Sequence, residues 1–360
     1  MNEEQDIGWE GPPPLEICIV MLSALGDAVH VLPVVNALKR AWPETRITWV
    51  IQPIPYQLVS DHPAIDEFVV FERKKGPLAW QSFLDVAKVL RNRQFDLLLG
   101  LQVYLKAGIL TGLIQSKIKL GFDRARARDT QWLFTNRRIP QHAPQHAPQH
   151  VQDQYFEFLH FIGVNPNPIS WGLYLSDREK EEQEAFFARV GNHACAVVVG
   201  TSKRAKNWTP DGYARVLEEV ESRHGLTPVI VGGPSAVERS IANQIMATTK
   251  ATVVDTLGNN IRKLVWILEG SALLISPDTG PLHISRALGT PVVGLFGHTN
   301  PHRSGPYRAF CDLIMDRFEQ HPEEGYTVSH TYRNRMKYIT VENVMEKVSL
   351  ALERYGGPEE

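Results

Sequence analysis

The chain is poor in cysteine. Only Cys18, Cys195 and Cys311 occur among 360 residues. Their number is odd and they lie far apart, which excludes a disulfide framework. Cys18 and Cys195 sit in apolar runs and read as buried small hydrophobes. A reducing cytoplasm fits that usage. No apolar run reaches the ~18 residues of a membrane-spanning helix. The opening MNEEQDIGWEGPPP has neither the basic nor the apolar region of a signal peptide. Charge of one sign is lacking too: 38 Lys and Arg face 40 Asp and Glu, for a net charge of −2. No global pull toward nucleic acid or membrane is expected. An anionic substrate must then be met by local basic clusters. The chain also has no D-x-D pair of the kind that holds a metal-bound diphosphate. No cofactor and no metal are expected.

What is present is an ordinary globular composition, 43% apolar and 22% charged. The length suggests two domains, each with its own core. Residues 1–14 are expected to form a flexible tail. Then strands and helices alternate. Leu15 to Leu22 reads as a buried strand, Gly26 and Asp27 as a turn, and Val29 to Trp42 as a helix. Strand patterns follow at Arg46–Ile51, Phe68–Phe71 and Phe95–Gly100, with a helix from Leu78 to Arg91. This rhythm implies a parallel, doubly wound sheet, hence an α/β fold. The first domain is placed at 15–165, with a linker at Asn165-Pro166-Asn167-Pro168. The second spans 169–340 and repeats the pattern, and 341–360 forms a terminal helix and tail.

Residues 141–149 read QHAPQHAPQ, and His150 closes the repeat. His142, His146 and His150 stand four apart, a spacing that binds metal on a helix. Pro144 and Pro148 argue against that helix, so a low-complexity loop is expected.

The most informative stretch is DTGPLHISRALGTPVVGLFG, residues 278–297. An apolar strand ends at Asp278, a glycine turn follows, then a helix from Leu282. Open α/β sheets bind ligands at the carboxyl ends of their strands. Asp278, Thr279, Gly280 and His283 would share such a mouth, and a helix start there suits phosphate. A single DTG in an α/β setting does not make an aspartic protease, which needs two. Thr201, Ser202 and Lys206 follow another strand end. They suit a diphosphate, or else belong to a solvated basic loop with Lys203 and Arg204. Trp208 reads as packing. Gly232 and Gly233 end a strand and border either a nucleoside pocket or a plain turn. Asp27 is either a helix N-cap or a general base on an acceptor hydroxyl. Gly26 would let a substrate approach the backbone. His30, one helical turn on, either orients the acceptor, contacts Asp27, or lies on the helix surface. Arg124, Arg126 and Arg128 alternate, so an extended chain would aim all three to one side as an anion-binding face. A solvated loop is the alternative. Arg73, Lys74 and Lys75 form a second basic cluster for a membrane or an acceptor.

Three segments carry a resemblance. DTGPLHISRALGTPVVGLFGHTNPHRSGP resembles the donor-site signature of the family 9 glycosyltransferases, the lipopolysaccharide heptosyltransferases. SALGDAVHVLPVVNALKRAWP (23–43) resembles their N-terminal block, and GTSKRAKNWTPDGY (200–213) their T-x-x-x-x-K-x-W block. The three occur in register over most of the chain. The resemblance implies a GT-B fold, two Rossmann-like domains facing each other across a cleft. It implies an inverting transferase that moves heptose from ADP-heptose to the lipopolysaccharide inner core, either Kdo-lipid A or a heptosylated core. Asp27 falls on the family's base, Lys206 on its phosphate lysine, and Arg128 on a basic acceptor-side position. The implied partners are an ADP-sugar and an anionic lipid-linked saccharide, with no nucleic acid. The implied location is the cytoplasm, with peripheral contact at the inner membrane. Two rivals stay open. One is a transferase with another nucleotide sugar or a protein acceptor. The other is a non-catalytic nucleotide-sugar-binding protein.

Overall fold

A computed structural model describes residues 11–74, 76–140, 149–191, 193–318 and 332–356. Residues 1–10 of the expected tail, Lys75 and residues 141–148 of the QHAP repeat lie outside the described residues. The described chain divides into two compact units, residues 11–140 with 151–173, and residues 149–150 with 174–356.

The first unit carries strands β1 (Glu16–Val20), β2 (Arg46–Ile51), β3 (Glu67–Val70), β4 (Phe95–Gly100), β5 (Ser116–Gly121) and β6 (Arg137–Arg138). Its helices are α1 (Leu25–Ala41), α2 (Pro53–Val59), α3 (Ala79–Leu90), α4 (Leu105–Leu113) and α5 (Val151–Phe161). The strands form one parallel sheet in the order β3-β2-β1-β4-β5-β6. Ile17 to Val20 and Leu97 to Leu99 are fully buried, as strands covered on both faces must be. That strand order reverses direction between β1 and β4. The loops leaving those two strands therefore splay apart and open a crevice.

The second unit repeats the plan with β7 (Ala194–Val198), β8 (Thr227–Val231), β9 (Val254–Asp255), β10 (Leu273–Pro277), β11 (Val292–Phe296) and β12 (Ile314–Asp316). Its helices are α6 (Asp177–Val190), α7 (Pro210–His224), α8 (Ala236–Thr248), α9 (Ile261–Glu269), α10 (Gly280–Leu288), α11 (Pro301–Ser304) and α12 (Val341–Tyr355). The parallel order β12-β11-β10-β7-β8-β9 puts the reversal between β7 and β10.

Several boundaries differ from the sequence reading. The units divide between Leu173 and Tyr174, not at 165–169. The Asn165–Trp171 segment is tied back onto the first unit. Arg40 donates to the carbonyls of Asn165 and Pro168, Asn36 to that of Ser170, and His62 lies 2.9 Å from that of Trp171. Helix α12 belongs to the second unit, with Val344 and Val348 fully buried. Gly26 and Asp27 do not form a turn but lie in the first turn of α1. Gly280 likewise opens α10, and Pro281 follows it where its missing N–H is harmless.

One ion pair anchors the edge of the second unit. Arg262 on α9 grips Glu179 on α6 with two hydrogen bonds, 2.6 and 2.7 Å, and donates a third to Tyr174 O. The guanidinium first, opposed by burial, holds the Glu179 carboxyl down at about 2. A depressed carboxylate contributes stability above its unfolded value of ~4.3, lost as pH falls toward the folded value. Glu179→Gln is therefore expected to lower stability at neutral pH by about 1.5–3 kcal/mol. It should also flatten the acid limb of a thermal-melt series between about pH 4.3 and the folded value. An unchanged acid limb would remove the pair from the account.

Candidate active site

In the second unit the switch point holds an ion pair between a buried aspartate and a half-buried lysine. Lys206 follows β7 and Asp278 follows β10. The Lys206 Nζ lies 2.7 Å from Asp278 Oδ2 and donates to Asp278 O at 2.9 Å. Ser304 Oγ, at the end of α11, donates to the same carboxylate oxygen at 3.2 Å. His283 Nε2 stands 3.9 Å from Asp278 Oδ1. Burial pushes the Asp278 carboxyl up, but Lys206, His283 and the Thr299 hydroxyl outweigh it and hold it below the ordinary range. The aspartate therefore fixes the lysine head against the DTG loop and remains charged.

Thr279 is the N-cap of α10, yet its side chain makes no capping hydrogen bond. Pro281 has no N–H and the Leu282 N–H donates to Thr279 O at 3.1 Å, so the Gly280 N–H and the helix dipole face whatever lies before the helix. Together with an ammonium fixed near the helix start, they make an anion cradle.

The other predicted phosphate residues split. Thr201 is buried, and its hydroxyl is engaged by Lys203 O at 2.8 Å and Asn207 Oδ1 at 2.9 Å. It shapes the loop that presents Lys206. Ser202, Lys203 and Arg204 are exposed. Trp208 packs: its indole donates to Ile339 O and its ring meets Tyr213 edge-on at 5.1 Å.

At the same edge of the sheet, beyond the ends of β8 and β9, is a pocket of about 220 Å³. Gly232 and the loop Thr256–Asn260 line it, with Lys263 and Ile267 from α9. Gly232 has φ +149, and a Cβ there would meet Leu257 and the Glu238 carboxylate. Gly233 does not line the pocket; its N–H donates to Glu238 Oε1 at 2.8 Å. Glu238 was missed in the sequence. It packs against Gly200, Gly232 and Gly233, three glycines at the ends of β7 and β8. Its signal was Ser235-x-x-Glu238, a capping pattern just after Gly-Gly-Pro. Ser304 carried no such signal.

In the first unit Asp27 is the third residue of α1, not its N-cap. The cap is Ala24, whose N–H donates to Asp27 Oδ2 at 2.9 Å. One carboxylate oxygen is thus occupied by the backbone, and the residue is only half-buried. Gly26 precedes it, also half-buried. Lys106, at the start of α4 on the other side of the reversal, donates to Ser23 Oγ at 3.1 Å. Burial and then Arg73 hold its amine below the ordinary lysine value, while Asp27 pulls the other way. Asp27, Ser23, Lys106 and Arg73 therefore share one electrostatic neighbourhood at the switch point.

His30 touches neither Asp27 nor the surface. It is buried, with Nδ1 3.0 Å from Gln152 Oε1 on α5. Gln152 Nε2 donates back to His30 O, so Oε1 is the acceptor and Nδ1 carries the proton. This pair fastens α1 to α5.

The three arginines do not share a face, because their segment turns instead of extending. Asp123 Oδ1 accepts from the N–H groups of Ala125 and Arg126 and closes the turn. Arg126 is paired with Asp123 and Glu157. Arg124 lies over the Trp132 ring at 4.3 Å and Arg128 over Tyr104 at 5.9 Å. Arg128 N also donates to Val103 O, which holds it beside the β4–α4 loop. Among the described residues no three His, Cys, Asp or Glu cluster as metal ligands. None of the described helices is long and apolar enough to cross a membrane.

The sequence model of Glycosyltransferase family 9 (heptosyltransferase) matches residues 83–331. A lipopolysaccharide core heptosyltransferase of Haemophilus influenzae, OpsX, is 33% identical over 316 residues, 87% of each chain. A family 9 glycosyl transferase structure from Veillonella parvula superposes with TM-score 0.79 at 22% identity, covering 94% of this chain and 97% of that one. The Escherichia coli heptosyltransferase WaaC, solved with ADP, gives 0.69 at 19% identity, covering 94% and 98%. The likeness shows the fold, GT-B, assembled from two α/β units.

Proposed function

Since the chain belongs to glycosyltransferase family 9, the heptosyltransferases, we propose that it moves a heptose from ADP-heptose onto the inner core of lipopolysaccharide, with inversion at the anomeric carbon. The observation that carries the donor half is the Lys206–Asp278 pair beside the start of α10. As the glycosidic bond to phosphate breaks, negative charge grows on the departing diphosphate. A pre-fixed ammonium and the positive end of α10 meet that charge without reorganising. Lys206 thus does at the diphosphate what a metal ion does in other transferases, and the reaction is expected to run in the presence of a chelator. The pocket at Gly232 and Thr256–Asn260 receives the nucleoside.

The acceptor half rests on Asp27. Its carboxylate takes the proton from the attacking hydroxyl. Lys106 couples electrostatically to this carboxylate and Arg73 to Lys106, and the two cations suit the acidic groups of an inner-core sugar. Because that acceptor is lipid-linked, the protein works at a membrane surface.

The test is mass spectrometry of a heptose-free, Kdo-bearing lipid A after incubation with ADP-heptose and the protein. A gain of one heptose, with inhibition by ADP in preference to UDP or GDP, is expected. No gain on this acceptor or on heptosylated cores, beside an active control enzyme, would refute the reading. Preference for UDP or GDP would move the donor to another nucleotide sugar.

A further inference from the structure

We infer that the outer face of α3, with the β3–α3 connection that precedes it, docks on an anionic lipid surface. Helix α3 turns Ser82, Val86 and Leu90 to the core, and Phe83 packs against the same cluster. On the opposite side Trp80 is 54% and Leu84 48% exposed, and Leu78 just before the helix is 57% exposed. At 3.6 residues per turn, Trp80, Leu84, Lys88 and Arg91 align along one face. The Trp80 ring leans on Phe83 at 5.5 Å, so the indole is held outward at little entropic cost.

The charge around these apolar groups is net positive, with Glu72 the exposed acid that no ion pair among the described residues offsets. Asp85 is neutralised by Lys74 at 2.6 Å. Arg73, Lys88 and Arg91 are exposed. An apolar strip flanked by cations, with a tryptophan between them, matches a bilayer boundary whose headgroups are anionic. A water-soluble polyanion would engage the cations but leave Leu78, Trp80 and Leu84 wet.

Position strengthens the argument. The sheet is parallel, so the connection leaving β3 emerges at the same edge as the β1–α1 loop before Asp27. Arg73 in that connection couples electrostatically to Lys106, and Lys106 to Asp27. The connection leading into the docking face and the proposed acceptor carboxylate therefore lie at one edge of the sheet. The inference rests on the lipid-linked acceptor proposed above, and its purpose is to bring that carboxylate to sugars displayed on a bilayer.

Co-sedimentation of the full-length protein with phosphatidylcholine vesicles, with and without phosphatidylglycerol, tests it. The expected result is binding that requires phosphatidylglycerol and weakens with salt. Trp80→Ser with Leu84→Ser should lower the partition coefficient about tenfold or more without changing the melting temperature. Lys88→Glu with Arg91→Glu should act in the same direction. Equal binding to both vesicle types, no binding to either, or wild-type binding by the Trp80/Leu84 variant overturns the inference. Binding that survives only on membranes retaining their own proteins assigns the face to a protein and overturns it as well. Turnover separates this inference from the reaction itself. On a water-soluble acceptor saccharide the Trp80/Leu84 variant should keep its kcat/KM, and on vesicle-embedded acceptor it should lose about tenfold. A wild type inactive on every acceptor defeats the proposed function and leaves the vesicle result to decide the surface.

Discussion

Asp27→Asn is expected to lower kcat by about 10²–10⁴-fold while leaving the fold and the affinity for ADP intact. The separation follows from what each carboxylate oxygen does. Oδ2 accepts from the Ala24 N–H and closes the start of α1. An asparagine oxygen can still accept there, so the helix start survives. What the amide cannot do is take a proton from a hydroxyl at neutral pH. Asp27→Ala removes both functions. It should lose turnover to the same degree and also lose about 1 kcal/mol of stability, the usual effect of an uncapped helix start. The groups proposed to bind the donor, Lys206, Asp278 and the Gly232 pocket, belong to the other unit, so calorimetric binding of ADP should be unchanged in both variants. The decisive comparison is between the two variants. If asparagine restored turnover that alanine abolished, Asp27 would be a helix-start residue and the base would lie elsewhere.

The position of Asp27 also shows where sequence reasoning stops. The apolar runs at Ile17–Val20, Leu97–Leu99 and Ala194–Val198 are short, β-branched or leucine-rich, and bounded by turn residues, so their strands were legible. The start of α1 was not. The motif places Gly26 and Asp27 where a turn is natural, but a carboxylate three residues after Ala24 can satisfy that residue's N–H. The helix therefore begins at Leu25. Helix α4, LKAGILTGL, was missed because its apolar residues go nearly all the way round and show no period. Strand β5, SKIKLG, does alternate and could have been read. The arginine run failed for a local reason with a visible signal. Asp123 just ahead of it is a turn former, and a turn cannot present alternate residues on one side. The His30–Gln152 pair joins residues 122 positions apart, and no local pattern encodes it. In the donor loop the residue types and their place at strand ends were readable. That Asp278 binds Lys206 directly needed β7 and β10 to be neighbours, which is a property of the sheet order.

That pairing makes Lys206→Ala the second substitution with a large expected effect, and the effect has two parts. The lysine leaves behind a buried carboxylate whose remaining partners are Ser304, Thr299 and the more distant His283. Removing one member of a buried pair typically costs about 3–5 kcal/mol. Turnover should fall by about 10²–10³-fold, because the departing diphosphate loses its fixed cation. Lys206→Ala with Asp278→Asn tests whether the two losses are separable. Once the stranded charge is gone, most of the stability should return, and the turnover should not. The acid response follows from the direction of the Asp278 shift. Its folded value lies below the ordinary range, so its contribution is present above the unfolded value of ~3.9 and lost as pH falls through the folded one. Wild type should therefore soften in that acid window, while the double variant should lack that limb. Thermal melts across pH, run beside kcat on ADP-heptose, read both parts. A Lys206→Ala protein as stable as wild type and active within about tenfold of it would leave the pair as neither anchor nor leaving-group clamp. The charge that grows on the diphosphate would then have to be met by the helix start of α10 alone.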